Sequence, residues 1–180
     1  MSFYQSLATF GKKFIPEHTL FKYGFNFSPM YKRSTARITH VSPDLKNIQV
    51  KLPISYKNRN YVNSIFGGSL FSAVDPIPMV QLINIIGPDY VVWDKAAQIR
   101  FKRPAKEDVY ASFEYTIAEL ETIKSRVAEE REIEIVKTTQ LLNKAGTQLF
   151  CEVDKTIYIA DKKFFKEKQR MRTKRKKAED

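Results

Sequence analysis

One apolar helical run set among strand-like segments constrains this chain more than any other feature. Residues 64–81 read SIFGGSLFSAVDPIPMVQ, an apolar stretch opened by Gly67 and Gly68 and carrying one acid, Asp75, before Pro76 and Pro78. The segments around it alternate instead. Ile48, Val50, Leu52 and Ile54 form one such series, and Val109, Ala111, Phe113, Tyr115 and Ile117 another. Ala97, Ile99 and Phe101 share a face in residues 90–104, and Ala36, Ile38 and His40 repeat the pattern earlier. Two last strands, in residues 131–143 and 147–160, meet at a Lys144-Ala145-Gly146 turn. Period two marks half-buried strands. A helix that is apolar on every side needs a sheet curled around it. The expected class is therefore α+β, a curved antiparallel sheet wrapped around one long central helix.

With 43 % hydrophobic residues in 180, the chain can bury one sizeable core. It divides into an N-terminal helix and connector at 1–24, a folded domain at 25–161 and a basic tail at 162–180. Phe3, Leu7, Phe10 and Phe14 give the first part an amphipathic stripe before Pro16, and residues 20–34 read as an aperiodic, aromatic-rich connector. The net charge of +11 is uneven, because the tail holds 10 of the 31 Lys/Arg and only 3 of the 20 Asp/Glu. That leaves 21 and 17 for the rest, so most of the basicity belongs to the tail. Such a run reads as solvated, disordered or a frayed helix; phosphate neutralisation on nucleic acid or on an acidic membrane is the sharper alternative. No run of about 18 uncharged apolar residues occurs, so no membrane-spanning helix is expected. Cys151 is the only cysteine and the N-terminus lacks a secretory pattern, so a cytoplasmic location is expected.

Chemistry concentrates at the start of the apolar run. Glycines let a ligand approach the backbone, and the first amides of a helix are unpaired donors suited to a carbonyl oxygen or an anion. The plain alternative is a tight turn between helix and sheet. Asp75 also has two readings. It can cap a second helix running from Pro76 to Ile86, or act as a general base flanked by Phe71, Val74 and Ile77, where desolvation makes a carboxylate hold protons more tightly. His18 and His40 have no metal-ligand spacing, and Cys151 alternates with Leu149 and Val153 as a core residue would. Trp93 and Asp94 read as stabilising a strand entry.

Asn60, the Phe66-Gly67-Gly68 turn and the following helix with Asp75 resemble the active-site segment of hotdog-fold acyl-CoA thioesterases of the phenylacetate-pathway type. Taken with residues 90–104, the segment is similar to a bacterial branch of uncharacterised thioesterase-like hotdog proteins. The resemblance spans roughly residues 25–160. It implies a hotdog fold with an extra N-terminal helix, and an acyl-CoA or related thioester as ligand or substrate, with no other cofactor and no metal. It implies that Gly68 donates its N–H to the thioester carbonyl, that Gly67 shapes the turn, and that Ser69 and Phe66 line the substrate. Asp75 matches the acid that activates water or attacks the thioester, and Asn60 the loop asparagine that orients water or substrate. Arg100, Lys102 and Arg103 are candidates for coenzyme A phosphates, against the plainer reading of a solvated strand face. The resemblance further implies a homodimer or a dimer of dimers. Phe66 departs from the family pattern, since the enzymes carry His there. The alternative function is therefore a non-catalytic hotdog module binding acyl chains or a protein partner.

Overall fold

The computed structural model describes residues 15–179. The amphipathic stripe expected at Phe3, Leu7, Phe10 and Phe14 lies outside these residues. Helix α1 (Glu17–Phe27) and a short α2 (Pro29–Lys32) lead into strands β1 (Arg37–Val41) and β2 (Asn47–Leu52). Helices α3 (Gly67–Val74) and α4 (Ile77–Ile86) follow, then β3 (Tyr90–Phe101), β4 (Val109–Glu114), α5 (Ile117–Glu130), β5 (Glu132–Leu142), β6 (Leu149–Asp161) and α6 (Lys162–Glu179). The strands form one antiparallel sheet in the order β1-β2-β4-β5-β6-β3. It curves over α3 and α4, giving the hotdog arrangement.

Two bulges set which side chains face the helices. In β1 the pairing passes from Ile38↔Val50 to His40↔Gln49, so Thr39 is the inserted residue. The expected series Ala36, Ile38, His40 therefore breaks: His40 is exposed and Val41 is buried. In β3 the pairing passes from Asp94↔Ile157 to Ala96↔Thr156. Val92 and Asp94 before the bulge, and Ala97, Ile99 and Phe101 after it, thus oppose one face of β6 at Ile159, Ile157, Lys155, Val153 and Cys151. Those five β6 residues are all buried. Four are apolar or a thiol; the fifth is a lysine.

The apolar run divides as its prolines require. Asp75 and Pro76 both keep right-handed helical angles between α3 and α4, while Asp75 N–H still donates to Phe71 O at 2.9 Å. The buried Tyr31 hydroxyl donates to Ala73 O at 2.9 Å beside this break, and Tyr115 donates to Pro78 O at 3.1 Å just beyond it. Leu70, Ala73, Val74, Ile77 and Leu82 are buried, each large aliphatic side chain contributing about 1.5–3 kcal/mol. By length and composition alone Gly67–Ile86 would also suit a membrane span, with Asp75 as the one charge inside it. Here one face packs into the core under the sheet, while Gly68 and Ile83 stay exposed.

Two further expectations change. The connector is helical: α1 straddles the boundary placed at residue 24, with Phe21 buried and Asn26 bonded through both side-chain amide atoms to the Ile38 backbone. The basic tail is a helix whose first half is docked. Phe165 lies 6.1 Å from Trp93 and 6.3 Å from Tyr158 between ring centres, and Lys168 Nζ pairs with Glu132 at 2.5 Å. Residues 171–175 remain exposed. Phe164 and Phe165, read earlier only as part of a charged run, supply the apolar contact that a polybasic composition hides.

Candidate functional site

The site begins where a loop delivers the glycine pair to the sheet. Asn58, which is buried, accepts from Ser55 N–H at 2.8 Å and donates to Thr35 Oγ1 at 2.7 Å and Pro53 O at 2.8 Å. Its own carbonyl takes the Phe66 N–H at 2.8 Å, and Ile65 N–H donates to Ala105 O at 2.8 Å. Asn60 serves the same loop rather than the space beside Asp75. Its Oδ1 accepts from Val62 and Ser64 N–H, both at 3.1 Å, and its Nδ2 donates to Ser64 Oγ at 3.0 Å. The asparagine that anchors the loop is therefore Asn58. Sequence reasoning missed it because an anchoring and a solvent-facing asparagine look alike in KNRNYVN.

Phe66 occupies the N-cap position of α3, where Ser, Thr, Asp or Asn would normally accept a hydrogen bond. A phenyl ring cannot. Ser69 and Leu70 N–H both reach Phe66 O, at 2.9 and 3.2 Å, while the amides of Gly67 and Gly68 have no acceptor among the described residues. Two rings crowd the glycines. A Cβ on Gly67 would come within 2.8 Å of Phe101 Cζ, and one on Gly68 would overlap the Phe66 ring. Gly68 and Phe66 are both exposed, and Ser69 is half-buried. Uncapped donors thus sit at the surface between two aromatic rings, at the positive end of the helix.

The far end of α3 carries Asp75, which caps nothing: α4 has no side-chain cap. Instead Asp75 Oδ1 lies 2.5 Å from Lys155 Nζ, and the same ammonium lies 3.0 Å from Asp94 Oδ2. The Phe71 ring centre is 5.8 Å from that nitrogen. Lys155 is 3 % exposed in its side chain, whereas Asp75 is 39 % exposed and its Oδ2 has no partner among the described residues. Asp94 Oδ1 is buried without a partner among them. Burial holds the Asp94 carboxyl above the usual carboxylate range, and Lys155 opposes that rise. The apolar setting expected for Asp75 is thus replaced by a buried cation shared between two acids. One signal pointed to it: Lys155 stands at an apolar position in the alternation Cys151, Val153, Ile157, Ile159.

Arg100, Lys102 and Arg103 do not join this cluster. Arg100 is engaged at Asp154 Oδ2, 2.5 Å away, and at Gln98 Oε1, 2.8 Å away. Lys102 and Arg103 are exposed, and their backbone amides pair with Phe150 O. The strand-face reading of Arg100 describes its surroundings. Trp93 and Asp94, expected to share one role, point apart: Trp93 meets α6 and Asp94 meets Lys155. A groove of about 700 Å³ opens between α5, α6 and the sheet, lined among others by Trp93, Arg126, Tyr158 and Phe165. It shares only Asp94 with the carboxylate cluster and lacks the glycine pair.

The family model for a domain of unknown function, DUF4442, matches residues 17–159. The chain belongs to that family. The matched span of this DUF4442 domain runs from the start of α1 almost to the end of β6, so it includes Gly68, Asp75, Asp94 and Lys155. No curated protein matches it. Among solved structures, it is similar to a Pseudomonas aeruginosa protein described as a probable thioesterase. The two share 20 % identity over 80 % of this chain and 93 % of that one, with a TM-score of 0.66. A Chlorobaculum tepidum protein of unknown function has 16 % identity over 80 % and 94 % of the two chains, TM-score 0.64. A Haemophilus influenzae thioesterase has 11 % identity over 80 % and 90 %, TM-score 0.57. These likenesses establish the hotdog fold of the DUF4442 domain and, at such identities, the fold alone.

Proposed function

We propose that this DUF4442 domain binds an acyl-CoA or a related acyl thioester and hydrolyses it. The uncapped start of α3 carries the reading: unclaimed donors at Gly67 and Gly68 suit a thioester carbonyl, and Gly68 N–H polarises it. One such donor aimed at a developing oxyanion contributes roughly 3–4 kcal/mol. Asp75 Oδ2 holds the attacking water and takes its proton as the new C–O bond forms. Collapse of the oxyanion breaks the C–S bond, and the leaving thiolate receives that proton. The products are a carboxylic acid and free coenzyme A.

Gly68 and Asp75 are seven residues apart on α3, about 10 Å along the helix axis, further than one carbonyl reaches. The proposed site is therefore shared between two copies, Gly68 from one and Asp75 from the other. The free edge of β3 supports this: it is an edge strand of twelve residues, and unpaired edges favour continuation by a second strand.

The test is a panel of acyl-CoAs with free-thiol detection, run on the wild type and on Asp75→Asn, with molar mass measured in parallel. Turnover that disappears in the variant, from a dimer, supports the reading. Thioester binding without turnover favours the non-catalytic module, for which the Phe66 ring over Gly68 is the supporting observation. Turnover by a monomer removes the shared site.

A further inference from the structure

A lysine inside an apolar strand face is costly. Removing an ammonium from water costs several kcal/mol unless good partners replace the solvent. Lys155 nevertheless projects toward α3 from between Val153 and Ile157 on β6. Its two partners come from separate elements, Asp75 from the end of α3 and Asp94 from β3 next to its bulge. Two acids share one base, and that base occupies only Oδ1 of Asp75, leaving Oδ2 on the exposed side.

Resting on the hydrolase reading above, we infer that Lys155 is the positioning residue of the site. Its ammonium fixes Asp75 Oδ1 so that Oδ2 alone presents to the attacking water, and Asp94 holds the ammonium in place. A free carboxylate rotates about its Cβ–Cγ bond and offers either oxygen. A carboxylate clamped at one oxygen offers only the other, in one plane. Asp94 makes the clamp rigid, because Nζ bonded to two anchors on different elements cannot follow Asp75 through its rotamers. Phe71, packed near the nitrogen, closes the remaining side. Within the same copy β3 also runs from this cluster to the glycine pair that would serve the other copy's site: the face that carries Asp94 carries Phe101, whose ring lies against Gly67. Lys155 touches no substrate here; it acts through Asp75.

The experiment measures kcat and KM for acyl-CoA hydrolysis in wild type, Lys155→Met and Lys155→Arg, with circular dichroism to confirm folding. Methionine keeps the length and apolar stem without the charge, and arginine keeps a cation that can bridge two carboxylates. The expected result is a fall in kcat on the order of 10²-fold for Lys155→Met, as for a misplaced reacting group. KM should stay unchanged, and Lys155→Arg should recover much of the loss. If Lys155→Met does not fold, Lys155→Gln, which keeps a donor without charge, replaces it under the same criteria. Wild-type kcat in the uncharged variant overturns the inference. So does a loss that Lys155→Arg fails to recover while KM rises in step, since that marks a structural residue. A wild type that turns over none of the panel removes the hydrolase reading and the inference together. An active wild type with an equally active Lys155→Met removes the inference alone.

Discussion

Lys155 Nζ and Asp75 Oδ1, eighty residues apart in the chain, lie 2.5 Å apart in the fold. The ion pair links β6 to the break between α3 and α4, and Asp94 extends it to β3. Because the ammonium is buried, its partners should be energetically coupled. Asp75→Asn and Asp94→Asn each leave one carboxylate, so each should cost about 1 kcal/mol. The double variant leaves a buried ammonium without a counter-charge and should cost about 3–5 kcal/mol, more than the sum of the singles. Urea unfolding of the four proteins measures this. Simple additivity would show that Lys155 finds solvent when its partners go.

The docking of α6 should depend on acid. Lys168 first, then the Tyr158 hydroxyl, holds the Glu132 carboxyl below the usual carboxylate range. A depressed carboxylate stabilises the folded arrangement above its unfolded value of about 4.3, and that stabilisation is lost as pH falls through the lower folded value. Acidification through that window should release α6 while the sheet persists. Trp93, the only tryptophan, packs against Phe165 and reports the event by its fluorescence. A chain ending at Asp161 should show the released emission at neutral pH, and Glu132→Gln should lose the acid transition. An acid titration that leaves Trp93 emission flat refutes this.

Gly68→Ala separates stability from ligand binding. Alanine improves helix propensity by about 0.5–1 kcal/mol, but its methyl group would overlap the Phe66 ring. Phe66 is 59 % exposed, so the ring can swing aside. The melting temperature should hold or rise slightly while KM for an acyl-CoA increases, because methyl and ring now compete with the ligand. Adding Phe66→Ala should recover part of the KM. An unchanged KM in the single variant would place the ligand elsewhere.

Cys151 should be inert in the folded protein. Burial pushes its thiol up to about 12, so almost no thiolate exists at neutral pH, and the side chain is shielded by its surroundings. A thiol reagent should label it only at the rate of unfolding, and in denaturant at once. Rapid native labelling would contradict the packing of β6 and would also add background to free-thiol assays of acyl-CoA hydrolysis.

Patterns carried by neighbours along the chain were legible without coordinates. The single apolar helix among alternating strands, its division near Pro76 and the turn around Gly146, where φ is +71°, all follow from local backbone rules. The glycine pair stood out for the same reason; that Phe66 is the uncapped N-cap of α3 came only with the structure. Bulges at Thr39 and Lys95 were not legible, because one inserted residue leaves composition untouched while reversing which side chains face inward. The roles of Asn58 and Asn60 were likewise hidden, since only the path of the loop decides which amide reaches Thr35.

The order of residues by itself determined a curled sheet around one apolar helix and the place where backbone amides would be left free, because both are announced by patterns that span only a few positions. It determined neither the surroundings of Asp75 nor the docking of the basic tail. Those were decided when three distant segments met in one low-dielectric space and a charged residue on an apolar strand face needed counter-charges. Electrostatic partners are chosen by distance in space, and in this chain that distance exists only after folding.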